Sequence, residues 1–307
     1  MACTVRCGDG MRVGLNVQRI LKAIRDAVLL GLEFTHLDQP VGRLRRVGQE
    51  AQDKRAELQQ HMSRMYSQFV QPGDLCFDIG AHLGSRVEVF LSLGAKAVAV
   101  EPQPACVRHL RAKYTLHPRV VVLACGLDRQ IGHKQLILSN THSVLASMSK
   151  EFTTLYHERS PATRSWGKTI TVRVTTLDWL IERYGLPAFC KIDAESYDDQ
   201  ILHGLSQPIK ALSFEYHLVR MQCALNCLAR LQELGAYEFN YSAGESMAFA
   251  LPGWVSAREM DEKLRSMPDQ VPIYGDVYAR LLASSIQIHY GGAGTAGGTP
   301  AGSAQAS

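Results

Sequence analysis

The sequence predicts a doubly wound α/β fold with a mostly parallel sheet. An apolar run, Leu75–Ile79, leads into a loop with glycines at 80 and 84, after which apolar residues recur at helical spacing. A second apolar run, Ala97–Val100, ends on Glu101, and two later runs, 188–192 and 211–217, also end in charged residues. Strand, glycine loop, helix and strand form a βαβ unit, from which doubly wound sheets are built.

The loop after the first strand reads Asp78-Ile79-Gly80-Ala81-His82-Leu83-Gly84. Glycines let the backbone turn sharply and approach a ligand closely. His82 stands where a dinucleotide loop has its middle glycine, and His is among the few other residue types enriched at positive φ. Glu101 follows about twenty residues later, where nucleoside-binding α/β folds place a carboxylate that accepts hydrogen bonds from ribose hydroxyls. The stretch therefore predicts a nucleoside site.

Composition limits the class of protein. The chain has 307 residues, of which 46% are hydrophobic and 20% charged, as in an ordinary soluble globular protein. Its net charge of +4 is too small to indicate a specific nucleic-acid partner. No apolar stretch reaches the roughly 18 residues of a membrane span, and the N-terminus lacks a secretory signal pattern. Eight scattered cysteines suit reduced thiols, so we expect a cytoplasmic protein.

Three segments are expected along the chain. Residues 1–69 form an N-terminal helical extension, with amphipathic helices at 13–32 and about 49–69, which either mediates a homodimer or covers the sheet. Residues 70–290 form the main domain. From 291 the chain consists mainly of Gly, Ala, Ser and Thr, so 291–307 is expected to be a disordered tail.

The middle of the domain departs from the βα alternation. A third strand is predicted at Val120–Ala124, followed by a turn that contains Gly126 and Asp128. Lys134–Leu138 and the alternating segment Thr169–Val174 are then expected as two strands of a β-hairpin-like insertion, with Ser139–Pro161 as a loop between them. Long excursions of this kind often select the substrate.

Ionisable residues follow the fourth and fifth strands of the sheet. After Ala188–Ile192 the residues Asp193 and Glu195 alternate with neutral ones, and the fifth strand, Ala211–His217, ends in Glu215 and His217. Charged groups at the end of a buried strand are costly unless they are paired or used. A late hairpin, Tyr237–Tyr241 with Met247–Leu251, is expected to add antiparallel strands. Such strands distinguish this fold from that of dehydrogenases, which begin with a similar βαβ unit.

Four motifs together resemble the FkbM-type family of class I S-adenosylmethionine-dependent methyltransferases. They are D-x-G-A-x-x-G from Asp78, the pair Glu101-Pro102, T-L-D-x-L at 176–180 and K-I-D-x-E at 191–195. The resemblance covers about two-thirds of the chain and implies a seven-stranded, Rossmann-like methyltransferase sheet. The family usually has Asn at the position of His82 and Gly at that of Ser196.

The resemblance implies a role for each matching residue. Gly80 and Gly84 would approach the methionine part of S-adenosylmethionine, and Asp78 would anchor the loop or the amino group. Glu101 would hold the ribose, with the turn of Gly126 and Asp128 beside the adenine. The acceptor it implies is a hydroxyl of a sugar, glycan or other small natural product.

A base that removes the hydroxyl proton is expected among Asp193, Glu195 and His217, of which His217 has an unperturbed pKa near 6.5. Two other interpretations stay open: structural pairs, Lys191 with Asp193 and Glu215 with His217, or a divalent cation on Asp193, Glu215 and His217, although no metal is expected. A catalytically silent binding module and, less favoured, a nicotinamide-dependent oxidoreductase remain as alternatives to a methyltransferase.

Overall fold

The computed structural model describes residues 56–139, 146–159, 166–268 and 274–282. The expected helix at 13–32 and the tail at 291–307 lie outside these residues. Of the helix expected at 49–69, the described part is helical at 56–66.

Eleven strands lie within the described residues, and seven of them form the main sheet. Its order is β10-β11-β9-β8-β1-β2-β3, and the other four form a small sheet in the order β4-β7-β5-β6. The strands are β1 Leu75–Ile79, β2 Lys96–Val100, β3 Val120–Leu123, β4 Gly126–Leu127, β5 Gly132–Ser139, β6 Ala146–Ser147, β7 Trp166–Thr175, β8 Phe189–Ile192, β9 Ala211–His217, β10 Tyr237–Ala243 and β11 Tyr274–Leu281.

The main sheet is mostly parallel, which confirms the predicted fold class. Strands β3, β2, β1, β8 and β9 pair in parallel, whereas β11 pairs antiparallel with both β9 and β10. The chain leaves β1 toward β2 on one side and returns to β8 on the other. The carboxyl ends of β1 and β8 therefore flank the switch point where open α/β sheets place their ligand crevice.

The expected hairpin partner of β10 is wrong. The segment Met247–Leu251 forms no strand, and β10 pairs with β11 instead. Asn240 holds the segment in place, since its Nδ2 donates to the Leu251 carbonyl at 3.1 Å and its Oδ1 accepts from the Leu251 N–H at 3.2 Å. Its apolar residues pack into the core: Met247 is buried and the Phe249 ring lies 5.4 Å from that of Tyr278. Apolar residues alone do not distinguish this packing from a strand.

Helices cover both faces of the main sheet. Two of them begin at side-chain caps: the Thr176 side chain accepts from the Trp179 N–H, and Ser256 forms a capping box with Glu259. The helices are α1 at 56–66, α2 Ser85–Ser92, α3 Pro104–Tyr114, α4 Lys150–Arg159, α5 Leu177–Tyr184, α6 Asp198–Leu202, α7 Met221–Leu234 and α8 Ala257–Arg265, with a 3₁₀ turn at Leu218–Arg220. Among the described helices, none is long and apolar enough to cross a membrane.

Helix α1 packs on the main domain through aromatic side chains. The fully buried ring of Tyr66 lies 5.1 Å from that of Phe90 on α2 and 5.3 Å from that of Phe189 on β8. Edge-to-face contacts at this separation add to the energy of burial. Helix α1 is therefore part of the core beneath one face of the sheet.

The expected β-hairpin-like insertion is confirmed, with β5 and β7 antiparallel. The expected loop at 139–161 is wrong for its described part after 145, because 146–159 contain β6 and α4. In α4 only Phe152 and Tyr156 are buried apolar anchors, one turn apart. Apart from Leu155 the rest of this helix is polar, so its helical periodicity is too weak to read from the sequence.

Candidate functional site

A cavity of about 370 Å³ lies at the carboxyl ends of the parallel strands, within the size range of small-molecule sites. Most of the site residues predicted from the sequence line it: they come from the ends of β1 and β2, from β4 and from the ends of β8 and β9. Those that line it are Asp78, Gly80, His82, Glu101, Gly126, Asp193, Glu195 and His217. Gly84 and Asp128 do not.

The glycine loop depends on two backbone positions at positive φ. At Gly80, φ is +83°, and an added Cβ would lie 1.9 Å from the Asp193 carbonyl oxygen, so no side chain fits there. At Gly84, φ is +81°, and an added Cβ would lie 2.9 Å from Leu110. Gly80 thus brings the loop against the turn after β8, whereas Gly84 lets α2 pack closely on α3.

His82 has φ +46°, as its place in the loop predicts. Its backbone N–H donates to Glu101 Oε2 at 2.8 Å, and the Gln103 N–H donates to Glu101 Oε1 at 2.7 Å. The ends of β1 and β2 are thereby joined through one carboxylate. A residue that tolerates positive φ is needed at 82, and both His and the family's Asn meet that requirement.

Glu101 has the properties expected of a ribose ligand. It is 2% exposed and lines the cavity. Each of its carboxylate oxygens accepts one backbone N–H and has a second acceptor position. Burial raises its pKa to about 7, although the two N–H groups lower it. Glu101 thus fits two vicinal hydroxyl donors.

Asp78 is a second buried carboxylate in the cavity wall. It is 2% exposed, and its Oδ2 has no hydrogen-bond partner among the described residues. Burial raises its pKa to about 6, against the effect of nearby Lys191 and Arg86. A buried acceptor without a partner fits an amino group on a ligand.

Lys191 and Asp193 form the ion pair that the sequence left open. Lys191 is 2% exposed, and its Nζ lies 2.7 Å from Asp193 Oδ2 and 3.7 Å from Asp276 Oδ1. Burial opposes the charge of Lys191, but the two carboxylates raise its pKa well above the ordinary value. Burial also opposes ionisation of Asp193, but Lys191 lowers its pKa. About a third of the Asp193 side chain, 32%, stays exposed, so an ionised carboxylate faces the cavity.

Glu195, Glu215 and His217 meet on the neighbouring wall. His217 Nε2 lies 2.8 Å from Glu215 Oε2 and 3.4 Å from Glu195 Oε2. Burial lowers the pKa of His217, but the two carboxylates outweigh it and raise the pKa well above 6.5. The pKa of this imidazole is therefore higher than the unperturbed value expected from the sequence.

The turn that carries Glu195 is conformationally strained. Glu195 and Ser196 have φ +53° and +62°, a region that favours glycine. Ser147 Oγ on β6 donates to the Glu195 carbonyl at 2.7 Å, and the Arg220 guanidinium donates to the Ser196 carbonyl. Two distant segments thus hold the turn in the shape that directs Glu195 toward His217.

Of the two candidates that follow β3, Gly126 and Asp128, only Gly126 lies at the cavity. Gly126 lines the cavity, where an added Cβ would lie 3.3 Å from Met148. Asp128 is buried away from it, accepting from the Tyr197 hydroxyl at 3.0 Å and lying 3.0 Å from Lys134 Nζ. Asp128 therefore fastens the insertion to the turn after β8.

Among the cavity-lining residues that sequence reasoning missed are Arg86, Glu245, Tyr156 and Tyr274. Arg86 pairs with Glu245 at 2.9 Å, across 159 positions of the chain. Tyr156 on α4 and Tyr274 at the start of β11 add aromatic walls near His217, at ring distances of 6.3 and 6.0 Å. Only Arg86, two positions after Gly84, had a local signal, because the other three reach the site through tertiary packing.

The strand order, with antiparallel β11 inserted between β9 and β10, and a cavity at the switch point are those of the class I methyltransferase fold. The family model for the methyltransferase FkbM domain matches residues 78–266, more than half of the chain. The chain therefore belongs to the FkbM methyltransferase family, whose methyl donor is S-adenosylmethionine.

Comparison with solved structures gives distant likenesses. A precorrin-6y C5,15-methyltransferase from Geobacter metallireducens GS-15 has 11% identity and a TM-score of 0.38, over 75% of this chain and 89% of that one. A SAM-dependent O-methyltransferase from Thermotoga maritima has 12% identity and a TM-score of 0.35, over 73% of this chain and 64% of that one. An rRNA methylase from Streptococcus thermophilus has 9% identity and a TM-score of 0.38, over 72% of this chain and 93% of that one. No curated protein sequence matches the chain. The identification therefore depends on the family match.

Proposed function

We propose that this protein transfers a methyl group from S-adenosylmethionine to a hydroxyl group of a sugar, glycan or other small natural product. One observation carries the proposal: the buried Glu101 carboxylate and the partly exposed Asp193 carboxylate line the same cavity. We call the surroundings of Glu101 the donor end and those of Asp193 the acceptor end. Glu101 would accept hydrogen bonds from the ribose of the donor, and Asp193 would accept the proton of the acceptor hydroxyl. The family match supports methyl transfer as the reaction class.

The donor end fits S-adenosylmethionine, which supplies an electrophilic methyl group when bound. Glu101 would accept from the ribose hydroxyls with its two remaining acceptor positions. Asp78, whose Oδ2 has no protein partner among the described residues, would accept from the amino group. Gly80 keeps the loop open to the ligand, and Gly126 gives room beside the base.

At the acceptor end Asp193 is the group that would accept the hydroxyl proton. It is ionised by its pair with Lys191 and partly exposed to the cavity. Its lowered pKa makes it a weak base, so we expect proton removal to accompany attack rather than to precede it. Glu195 and His217 would position the acceptor beside it. Precise placement of the two reactants supplies much of the rate in a reaction of this kind.

The test is transfer of a labelled methyl group from S-adenosylmethionine to a panel of glycan and small-molecule hydroxyl acceptors, with amine acceptors alongside. We expect label in a hydroxyl acceptor with the wild-type chain and none with Asp193→Ala. Label only in amines would overturn the acceptor class. Donor binding without transfer to any acceptor would favour a catalytically silent binding module.

A further inference from the structure

Three metal-ligating side chains converge on one wall of the cavity, within the part of the chain that the structure describes. One ligand atom each from Glu195, Glu215 and His217 lies within 4.8 Å of the others. Glu215 and His217 come from the end of β9, and Glu195 from the strained turn after β8. All three line the cavity, so an ion there would be in contact with a bound acceptor.

The contacts inside this cluster are at ion-pair distance but do not have the geometry of hydrogen bonds. Nε2 of His217 lies 2.8 Å from Glu215 Oε2, yet neither atom has a hydrogen-bond partner among the described residues. The same holds for Glu195 Oε2 and for His217 Nδ1. Both Glu215 and His217 are more than nine-tenths buried, at 8% and 4% exposure. Buried polar atoms without partners are rare, and an ion is one of the few explanations for them.

The distances match ligands that share one cation. Transition-metal bonds to imidazole nitrogen and carboxylate oxygen are about 2.1 Å long. Two such ligands lie about 3.0 Å apart at an octahedral right angle and about 3.4 Å apart at a tetrahedral angle. The two Nε2 to oxygen distances, 2.8 and 3.4 Å, are close to these values.

We propose that Glu195, Glu215 and His217 form a site for a divalent first-row metal ion. Two carboxylates with one imidazole suit Mn²⁺ or Zn²⁺, since carboxylates suit Mn²⁺ and imidazole suits Zn²⁺. Three protein ligands leave coordination positions open. On the cavity side these would take an oxygen of the acceptor, a role that rests on the proposed methyl transfer.

The ligand set differs from the one that the sequence allowed. The sequence permitted Asp193 as the second carboxylate, but its Oδ2 is 2.7 Å from Lys191 Nζ and is neutralised there. Glu195 takes its place, because the left-handed turn at 195 and 196 directs it toward His217. Asp193 stays available to accept a proton beside the ion.

Mn²⁺ binding to the full chain, freed of metal by a chelator, tests the site through loss of the free-ion resonance signal. We expect one Mn²⁺ per wild-type chain, displaced by Zn²⁺, and affinity lower by at least about tenfold in Glu215→Gln and His217→Ala. The matched control is Glu245→Gln, which removes a carboxylate from the same cavity outside the ligand set and should bind Mn²⁺ as wild type does.

Two results would overturn the site: no binding of either ion at millimolar concentration, or unchanged affinity in both ligand variants. Glu195→Gln, at a less buried position, serves if a β9 variant does not fold. Binding of S-adenosylhomocysteine to each protein is measured in parallel. If the wild-type chain binds Mn²⁺ but not S-adenosylhomocysteine, the metal site stands and the proposed function is contradicted. If it binds S-adenosylhomocysteine but not Mn²⁺, the proposed function stands and the metal site is overturned.

Discussion

The two ends of the cavity are built in different ways. The proposed donor end comes mainly from one short stretch, 78–101, with Gly126 beside it. It depends on backbone: Gly80 at positive φ and the N–H groups that fix Glu101. The acceptor end gathers charged side chains from the ends of β8 and β9, held in place by β6 and by Arg220. The proposed donor, S-adenosylmethionine, would thus be bound by residues close together in the sequence. The proposed acceptor would be bound by residues that only the tertiary structure brings together.

The ends also differ in how their charge is balanced. Glu101 and Asp78 have no opposite charge within salt-bridge distance in the described residues, and burial raises the pKa of both. Asp193 is paired with Lys191, which lowers its pKa, and His217 lies between two glutamates. The donor end therefore changes its charge near neutral pH, while Asp193 keeps its own. Changes at the two ends should have separable effects.

The largest effect is expected from Asp193→Ala. Loss of the ionised carboxylate beside the acceptor should lower the turnover rate by a factor of about 10²–10⁴, the range for a positioned proton acceptor. Steady-state rates with a saturating donor measure this. Asp193→Asn, which keeps the shape and removes the charge, should lose nearly as much. Turnover within a factor of two of wild type would place the base elsewhere.

A smaller effect is expected from pH on donor affinity. The ribose hydroxyls need an ionised acceptor, and the pKa of Glu101 in the free protein is about 7. Affinity for S-adenosylhomocysteine should be constant above pH 7 and fall by up to about tenfold per unit below it, because binding must first release a proton. Asp78, with a pKa of about 6, should steepen the fall at lower pH. Calorimetric titrations from pH 5.5 to 8 measure the curve.

Glu101→Gln is the control for that curve, since an amide does not titrate. Its affinity should be lower than that of wild type at pH 8 and flat between pH 8 and 7. A wild-type curve of the same shape as that of Glu101→Gln would show that Glu101 does not titrate on binding.

The smallest effect is expected at the strained turn. Left-handed backbone costs a non-glycine residue about 1–2 kcal/mol, and glycine costs about 0.5–1 kcal/mol in chain entropy. Ser196→Gly, which restores the family's residue at φ +62°, should therefore raise the free energy of unfolding by about 0.5 kcal/mol. Denaturant unfolding measures it, with Ser196→Ala as the matched variant that keeps the strain. Equal stability of both variants would contradict the strain argument.

The donor end was largely predictable from sequence because its signals are local. The glycine loop, the apolar strands and Glu101 lie within thirty residues, and the structure places Gly80, His82 and Glu101 around one cavity. Positive φ at His82 followed from residue type alone. For these residues, sequence spacing and backbone preference were sufficient to predict that they meet at one site.

The acceptor end was only partly predictable. The alternation of Lys191, Asp193 and Glu195 holds only while the strand lasts, and β8 ends at Ile192. Glu195 therefore turns away from Asp193 to join Glu215 and His217, which no spacing indicates. Partners from distant segments, such as Glu245 and Tyr156, leave no local pattern. The same limit led to the wrong partner for β10, since Met247–Leu251 and β11 are both apolar enough to pair.

The separation of the two ends is tested most directly by calorimetric titration of S-adenosylhomocysteine into wild type, Glu101→Ala and Asp193→Ala at pH 8, with NAD as the comparison ligand. Glu101→Ala should weaken binding by about 1–3 kcal/mol, the range for a lost buried hydrogen-bond partner, while Asp193→Ala should bind as wild type does. NAD should not bind. Equal weakening in both variants, or binding of NAD in place of S-adenosylhomocysteine, would contradict a cavity with separate donor and acceptor ends.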